Sequence, residues 1–200
     1  MITKKTAKRK GYFTRVICAA VLILSLTASP VFAGSLYPDV NDDASYAWAV
    51  ALTTQQGVLG GDLLGNFNPD APITRGEFAV ALYNFAKTGE NVSLFGFAPY
   101  ADVPMDYWGT SYIAWACAKG YMSDYGNGFF GPGDPLLFEQ ALVGVIHALD
   151  LTEDAVLAGG YFGGYLTTAI DYGLLGDVNG IVGAPLTRAQ AAVLFGKALQ

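Results

Sequence analysis

Shifted by 63 residues, the chain overlays on itself. Tyr37-Pro38-Asp39-Val40 falls on Tyr100-Ala101-Asp102-Val103, Gly57-Val58-Leu59-Gly60-Gly61 on Gly120-Tyr121-Met122-Ser123-Asp124, and Phe67-Asn68-Pro69 on Phe130-Gly131-Pro132. A third, shorter copy carries Gly173-Leu174-Leu175-Gly176-Asp177 and then Pro185. A unit of about fifty residues in such an array cannot bury its apolar faces alone, so the copies must pack on one another.

Each copy reads as helix, tight loop, helix. Apolar residues recur at three- and four-residue steps over Tyr46 to Gln56, Tyr112 to Lys119 and Tyr165 to Tyr172. Gly57, Gly120 and Gly173 follow these runs and suit the left-handed position that closes a helix. Gly- and Asp-rich loops lead to a second helix, with Phe78, Leu82 and Phe85 on one face in the first copy and Ala191, Phe195 and Ala198 matching them in the third. Thr88 to Ala98 reads as a linker, and so does Leu151 to Gly160, where Gly159-Gly160 and Gly163-Gly164 weaken any helix. The predicted fold class is all-α: three helix-loop-helix repeats (34–90, 97–150 and 151–200) packed as a pseudo-threefold bundle with grooves between repeats.

The second helices start on a shared signature, Ile73-Thr74-Arg75-Gly76-Glu77 and Leu186-Thr187-Arg188-Ala189-Gln190. Thr74 and Thr187 are the expected caps, Glu77 and Gln190 complete capping boxes, and Ile73 and Leu186 supply half of a hydrophobic staple. The arginines are not explained by capping. A cation in a first helical turn faces the positive end of the helix dipole, at a cost of a few tenths of a kcal/mol. Held there twice, it points to an anionic ligand; a salt bridge to a neighbouring Asp39 or Asp102 is the competing reading. A place at a helix start implies an exposed side chain, so alanine at either position should leave the fold intact.

The N-terminus has the layout of a secretory signal: six basic residues before Val16, an apolar core from Val16 to Leu26, and Val31-Phe32-Ala33 as the cleavage site. Residues 1–33 are therefore the expected signal peptide. The apolar run is shorter than the roughly 20 residues of a spanning helix, so no membrane attachment is expected after cleavage. The remaining 167 residues hold five basic against seventeen acidic side chains, a formal −12. Such a field excludes nucleic acid and anionic membranes as general partners, and any anion must be gripped locally. Cys117 is then the only cysteine and His147 the only histidine. Zinc sites and the common Ser-His or Cys-His nucleophile systems are excluded or nearly so. Asp39-Val40-Asn41-Asp42-Asp43 opens like a calcium loop, but Ala44 and Val50 occupy its glycine and glutamate positions. No metal, cofactor or catalytic residue is expected.

In order and spacing, Asp-Val, a first helix with an early aromatic, Gly-apolar-apolar-Gly, Phe-x-Pro and Ile-Thr-Arg-Ala-Glu resemble the S-layer homology domain, from about Leu36 to Gln200. The resemblance implies a three-pronged helical bundle that docks without covalent bonds on anionic, often pyruvylated, secondary cell-wall polysaccharide. It also implies a secreted protein at the wall or surface of a bacterium. By motif, Arg75 and Arg188 would contact the acidic sugar, with Thr74, Thr187, Glu77, Gln190, Asp39, Asp102 and Trp108 around them. Ser45 and Tyr161 stand where the second copy has Trp108. The second copy departs from the pattern: Leu136-Leu137-Phe138-Glu139-Gln140 puts Phe138 in place of the arginine and removes the capping box. One or two working grooves are therefore expected, not three. The resulting expectation is a non-catalytic wall-binding module; the alternative is an envelope protein whose repeats pack, self-associate or meet a protein partner. No domain to be anchored is evident in the sequence.

Overall fold

A computed structural model describes residues 35–200; the expected signal peptide lies outside the described residues. The described residues form seven α-helices and a short 3₁₀ turn, Val92–Phe95. The α-helices are α1 (Ala47–Gln55), α2 (Arg75–Ala86), α3 (Thr110–Ala118), α4 (Phe138–Ala148), α5 (Thr152–Leu157), α6 (Gly163–Asp171) and α7 (Arg188–Ala198). No strand occurs among them, only three isolated bridges, so the protein is all-α.

The local signals act as the sequence implies. Thr74 Oγ1 accepts from Glu77 N, and Glu77 Oε2 accepts from Thr74 N at 2.8 Å. Thr187 and Gln190 repeat this box at α7. At α4 only half survives: Gln140 Oε1 accepts from Leu137 N, and the leucine side chain has nothing to return. Gly57, Gly120 and Gly173 all take left-handed φ values, 70°, 72° and 66°, directly after their helices.

One segment differs from expectation. Leu151 to Gly160 is not a bare linker but contains α5, with Glu153 and Asp154 in its first turn. Carboxylates there favour a helix start, and Ala155 buries its methyl completely. The next helix opens on Gly163-Gly164 because the backbones nearly touch: a Cβ on Gly164 would lie 2.0 Å from the Ala155 carbonyl oxygen.

Packing runs between copies as much as within them. α7 packs on α1, α2 on α3, and α4 on α6. α4 also meets α2 and α7, and the Phe195 ring lies 5.3 Å from Phe78 and 5.3 Å from Phe85. At the centre, the residues before the caps close a ring of backbone hydrogen bonds. Ile73 N donates to Leu186 O (3.0 Å), Leu186 N to Leu136 O (2.8 Å), and Leu136 N to Ile73 O (2.9 Å). All three side chains are fully buried. A second set follows one step on: Arg75 N donates to Asp134 O, Phe138 N to Ala184 O, and Arg188 N to Ala71 O. The residues expected as staples thus hold the separate helix starts together.

Candidate functional site

Among the described residues the fold brings the helix starts against neighbouring loops, and three of the hollows there involve these starts. The first, about 590 Å³, is lined by the first copy's loop (Gly60, Gly61, Asp62), by Thr74, Glu77 and Asn84, by Arg188 of the third copy and by Trp108 of the second. The second, about 200 Å³, is lined by Ser123, Asp124 and Tyr125, by Gln140, by Arg75 of the first copy and by Tyr161 of the third. The third, only about 60 Å³, is lined by Asp177, Val178 and Gln190, with Ser45 from the first copy. Trp108, Tyr161 and Ser45, matched in the sequence, thus occupy matching places.

The arginines are not exposed, which corrects the expectation from their place at helix starts. Arg75 keeps 2% of its surface and Arg188 9%. Each reaches across a copy boundary and makes three hydrogen bonds. Arg75 donates from Nε to Phe130 O (2.8 Å), from Nη1 to Gln140 Oε1 (3.2 Å) and from Nη2 to Ser123 O. Arg188 donates from Nε to Phe67 O (2.8 Å), from Nη1 to Glu77 Oε1 (3.0 Å) and from Nη2 to Gly60 O. Arg75 also lies 4.5 Å over the Phe130 ring and 4.8 Å over Tyr125, and Arg188 lies 5.0 Å over Phe67. The side chains are buried because the loop carbonyls of the next copy are their acceptors. Burial pushes the Arg75 pKa down, opposed by the nearby Tyr125, Cys117, Asp134 and Asp102. A guanidinium has five N–H donors. One on each terminal nitrogen therefore has no hydrogen bond among the described residues, while both guanidinium-bearing residues line hollows.

Asp39 and Asp102 are neither salt-bridge partners of the arginines nor part of a groove lining. Asp39 accepts from Phe67 N and Asn68 N (2.9 and 2.6 Å), and Asp102 from Phe130 N and Gly131 N (2.9 and 2.6 Å). They fasten the loop whose carbonyl the arginine then takes. Burial alone would raise the Asp102 carboxyl, but the two amides and the Arg75 charge outweigh it and hold its pKa low. In residues 151–200, Asp154 accepts from the Tyr172 hydroxyl instead. His147 bridges Gly120 O (2.6 Å) and the Tyr165 hydroxyl (2.7 Å), tying α4 to α6.

Of the predicted residues, Arg188, Thr74, Glu77 and Trp108 meet in the hollow of about 590 Å³. Arg75 lines the second and Gln190 the third, while Thr187 is confined to its capping box. Tyr125, Gln140 and Asn84 were not predicted as site residues; Gln140 was detectable, because it occupies the position of Glu77 and Gln190.

The third boundary is rebuilt. Five residues before Pro72 and Pro135 stand Phe67 and Phe130, but five before Pro185 stands Gly180. Phe138, 3% exposed, holds the position of the arginines. A Cβ on Gly180 would lie 2.2 Å from its ring. An arginine over a phenylalanine is thus replaced by a phenylalanine over a glycine, and an apolar plug fills the space.

Residues 36–79 and 99–142 match the family described as the S-layer homology domain. The Cell surface protein of Thermoanaerobacter kivui is 30% identical over 188 residues, covering 92% of this chain and 24% of that protein. The Cellulosome-anchoring protein of Acetivibrio thermocellus is 32% identical over 135 residues, 62% of this chain and 29% of the relative. The Surface-layer 125 kDa protein of Lysinibacillus sphaericus is 28% identical over 211 aligned positions, 98% of this chain and 17% of the relative. The chain therefore spans less than a third of each of these three proteins.

Proposed function

We propose that this chain, whose residues 36–79 and 99–142 are S-layer homology repeats, is a secreted, non-catalytic module that attaches to the bacterial cell wall by gripping an anionic wall polysaccharide in its inter-copy grooves. Residues 151–200 serve as a third, divergent repeat. Supporting this reading, they carry the Thr187–Gln190 capping box and the left-handed Gly173, and Leu186 joins the ring of backbone hydrogen bonds with Ile73 and Leu136.

The observation that carries the reading is the 590 Å³ hollow with the Arg188 guanidinium in its lining and Trp108 beside it, 59% exposed. An open hollow holding a flat aromatic face and a few fixed polar groups suits a sugar ring. The free N–H pair of Arg75, which faces no carboxylate partner, suits an acidic substituent such as a pyruvyl ketal, because charge-assisted bidentate bonds are the strong ones. The names of the relatives, a cell-surface, an anchoring and a surface-layer protein, agree with a role at the wall.

The test is sedimentation of the purified protein with cell-wall sacculi, before and after acid extraction of their secondary polymer. Binding is expected to vanish with the polymer and to weaken in Trp108→Ala without loss of thermal stability. Retention on extracted sacculi would instead favour packing or self-association as the role of the repeats.

A further inference from the structure

The two arginine grooves differ by one charge, and the difference sits on the residue each arginine meets. Arg188 meets Glu77, a carboxylate with 37% of its side chain exposed, at 3.0 Å. Arg75 meets Gln140, which occupies the same helical position but is neutral. Each groove also contains one loop carboxylate occupied by its own loop. Asp62 accepts from Leu64 N, Asn66 N and Asn68 Nδ2, and Asp124 accepts from Gly126 N. The Arg188 groove is thus formally −1 and the Arg75 groove neutral. Among the described residues, the ion pairs are Lys119–Glu90 and Arg188–Glu77, and Arg75 has none.

A buried cation held by carbonyls and an amide but no anion is electrostatically incomplete. Arg75 is the more buried of the two arginines, yet no carboxylate pairs with it directly, and Asp134 and Asp102 act on its charge only from a distance. Its guanidinium is confined between Tyr125 and Phe130, with one N–H left on each terminal nitrogen in a hollow of about 200 Å³. That volume accepts a carboxylate and little more than one sugar ring. Glu77, in contrast, already neutralises Arg188 and would repel an incoming carboxylate across the wider hollow that Trp108 borders.

We infer that the grooves take different chemical parts of the ligand: the Arg75 groove takes the anionic substituent, and the Arg188 groove takes uncharged sugar against Trp108, with Gln140 and Glu77 setting the selectivity. This rests on the wall-polysaccharide reading for the identity of the ligand but not for the anion preference itself. The anion preference can be read on the protein alone, with sodium acetate as the probe at constant ionic strength.

The arginine Nε–H resonances of the whole protein report each site. In the unmodified protein, acetate is expected to shift the Arg75 signal in a saturable way and to leave Arg188 unmoved. Glu77→Gln should confer a response on Arg188. Gln140→Glu should weaken the Arg75 response by at least about fivefold, the effect of one added unit charge near 4 Å even in bulk water. Equal responses in the unmodified protein, no response at either site, or swapped responses would overturn the inference, and none of these readings depends on a variant folding. Loss of sacculus binding together with the expected acetate pattern would sink the polysaccharide reading and leave the anion preference standing.

Discussion

Arg75→Ala tests whether the arginine is a structural clamp. The substitution removes three hydrogen bonds from a charged donor and leaves Phe130 O, Ser123 O and one lone pair of Gln140 without that donor. Bonds to a charged group contribute about 1.5–3 kcal/mol each. Their sum overstates the effect, because the native state bears the cost of holding a guanidinium that is 2% exposed away from water. Breaking a buried charged arrangement by removing one partner costs about 3–5 kcal/mol, and that is the expected loss. In a domain of this size about 2–4 °C of melting temperature goes with each kcal/mol, so the melt should fall by about 6–20 °C. Arg188→Ala should cost less, because the Glu77 carboxylate it leaves behind is 37% exposed and can be rehydrated. Thermal unfolding by circular dichroism and urea titration measure both. A loss below about 0.5 kcal/mol, typical of a surface substitution, or a larger loss at Arg188 than at Arg75, would refute the clamp.

Phe138→Ala should cost about 3–5 kcal/mol, since it empties an apolar plug that nothing else fills; a loss under 1 kcal/mol by urea titration would contradict the account. Gly180→Ala should destabilise by about 1–3 kcal/mol through overpacking and be relieved by Phe138→Leu; additive losses in the double variant would count against the contact. Gly164→Ala should be among the costliest alanine substitutions, because its Cβ would meet the Ala155 carbonyl of α5 and backbone cannot step aside; an unchanged melt would remove the reason given for Gly164. The depressed Asp102 carboxyl favours the folded state above its unfolded pKa, near 3.9, and this stability is lost as pH falls through the lower folded value. Asp102→Asn should flatten that acid limb, and an unchanged pH–stability profile would show that the two loop amides do not hold the carboxylate.

What could be read from the residues was what they decide with their neighbours in sequence. The capping boxes at Thr74 and Thr187, the left-handed glycines after the first helices and the all-α class are local, and all are present in the structure. The matched series Trp108, Tyr161 and Ser45 was legible because a repeat carries equivalent positions to equivalent places. α5 was missed because the glycine pairs around it outweighed the acidic first turn of Glu153 and Asp154. Gly159 and Gly160, at φ 125° and 73°, lie between α5 and α6, whereas Gly163-Gly164 opens α6 and Gly164 permits a close crossing. The loop-fastening role of Asp39 and Asp102 was equally hidden, since their partners lie nearly thirty residues along the chain.

The arginines show how far a local argument reaches. Opposing the helix dipole costs a few tenths of a kcal/mol, and that small penalty pointed to a ligand. Three charge-assisted bonds to the next copy outweigh it several times over, so the unfavourable position needs no ligand to account for it. The plugged boundary supports this, since Phe138 packs against Gly180 there with no arginine at its position. A clamp and an anion site nevertheless ask for the same group in the same place. The bonds that fix Arg75 across the boundary also leave two N–H donors facing no protein acceptor, preorganised at no further entropic cost. Under the proposed division of labour, whether a boundary takes the anion turns on the capping position of the next helix: Gln140 leaves Arg75 without a carboxylate partner, whereas Glu77 pairs with Arg188.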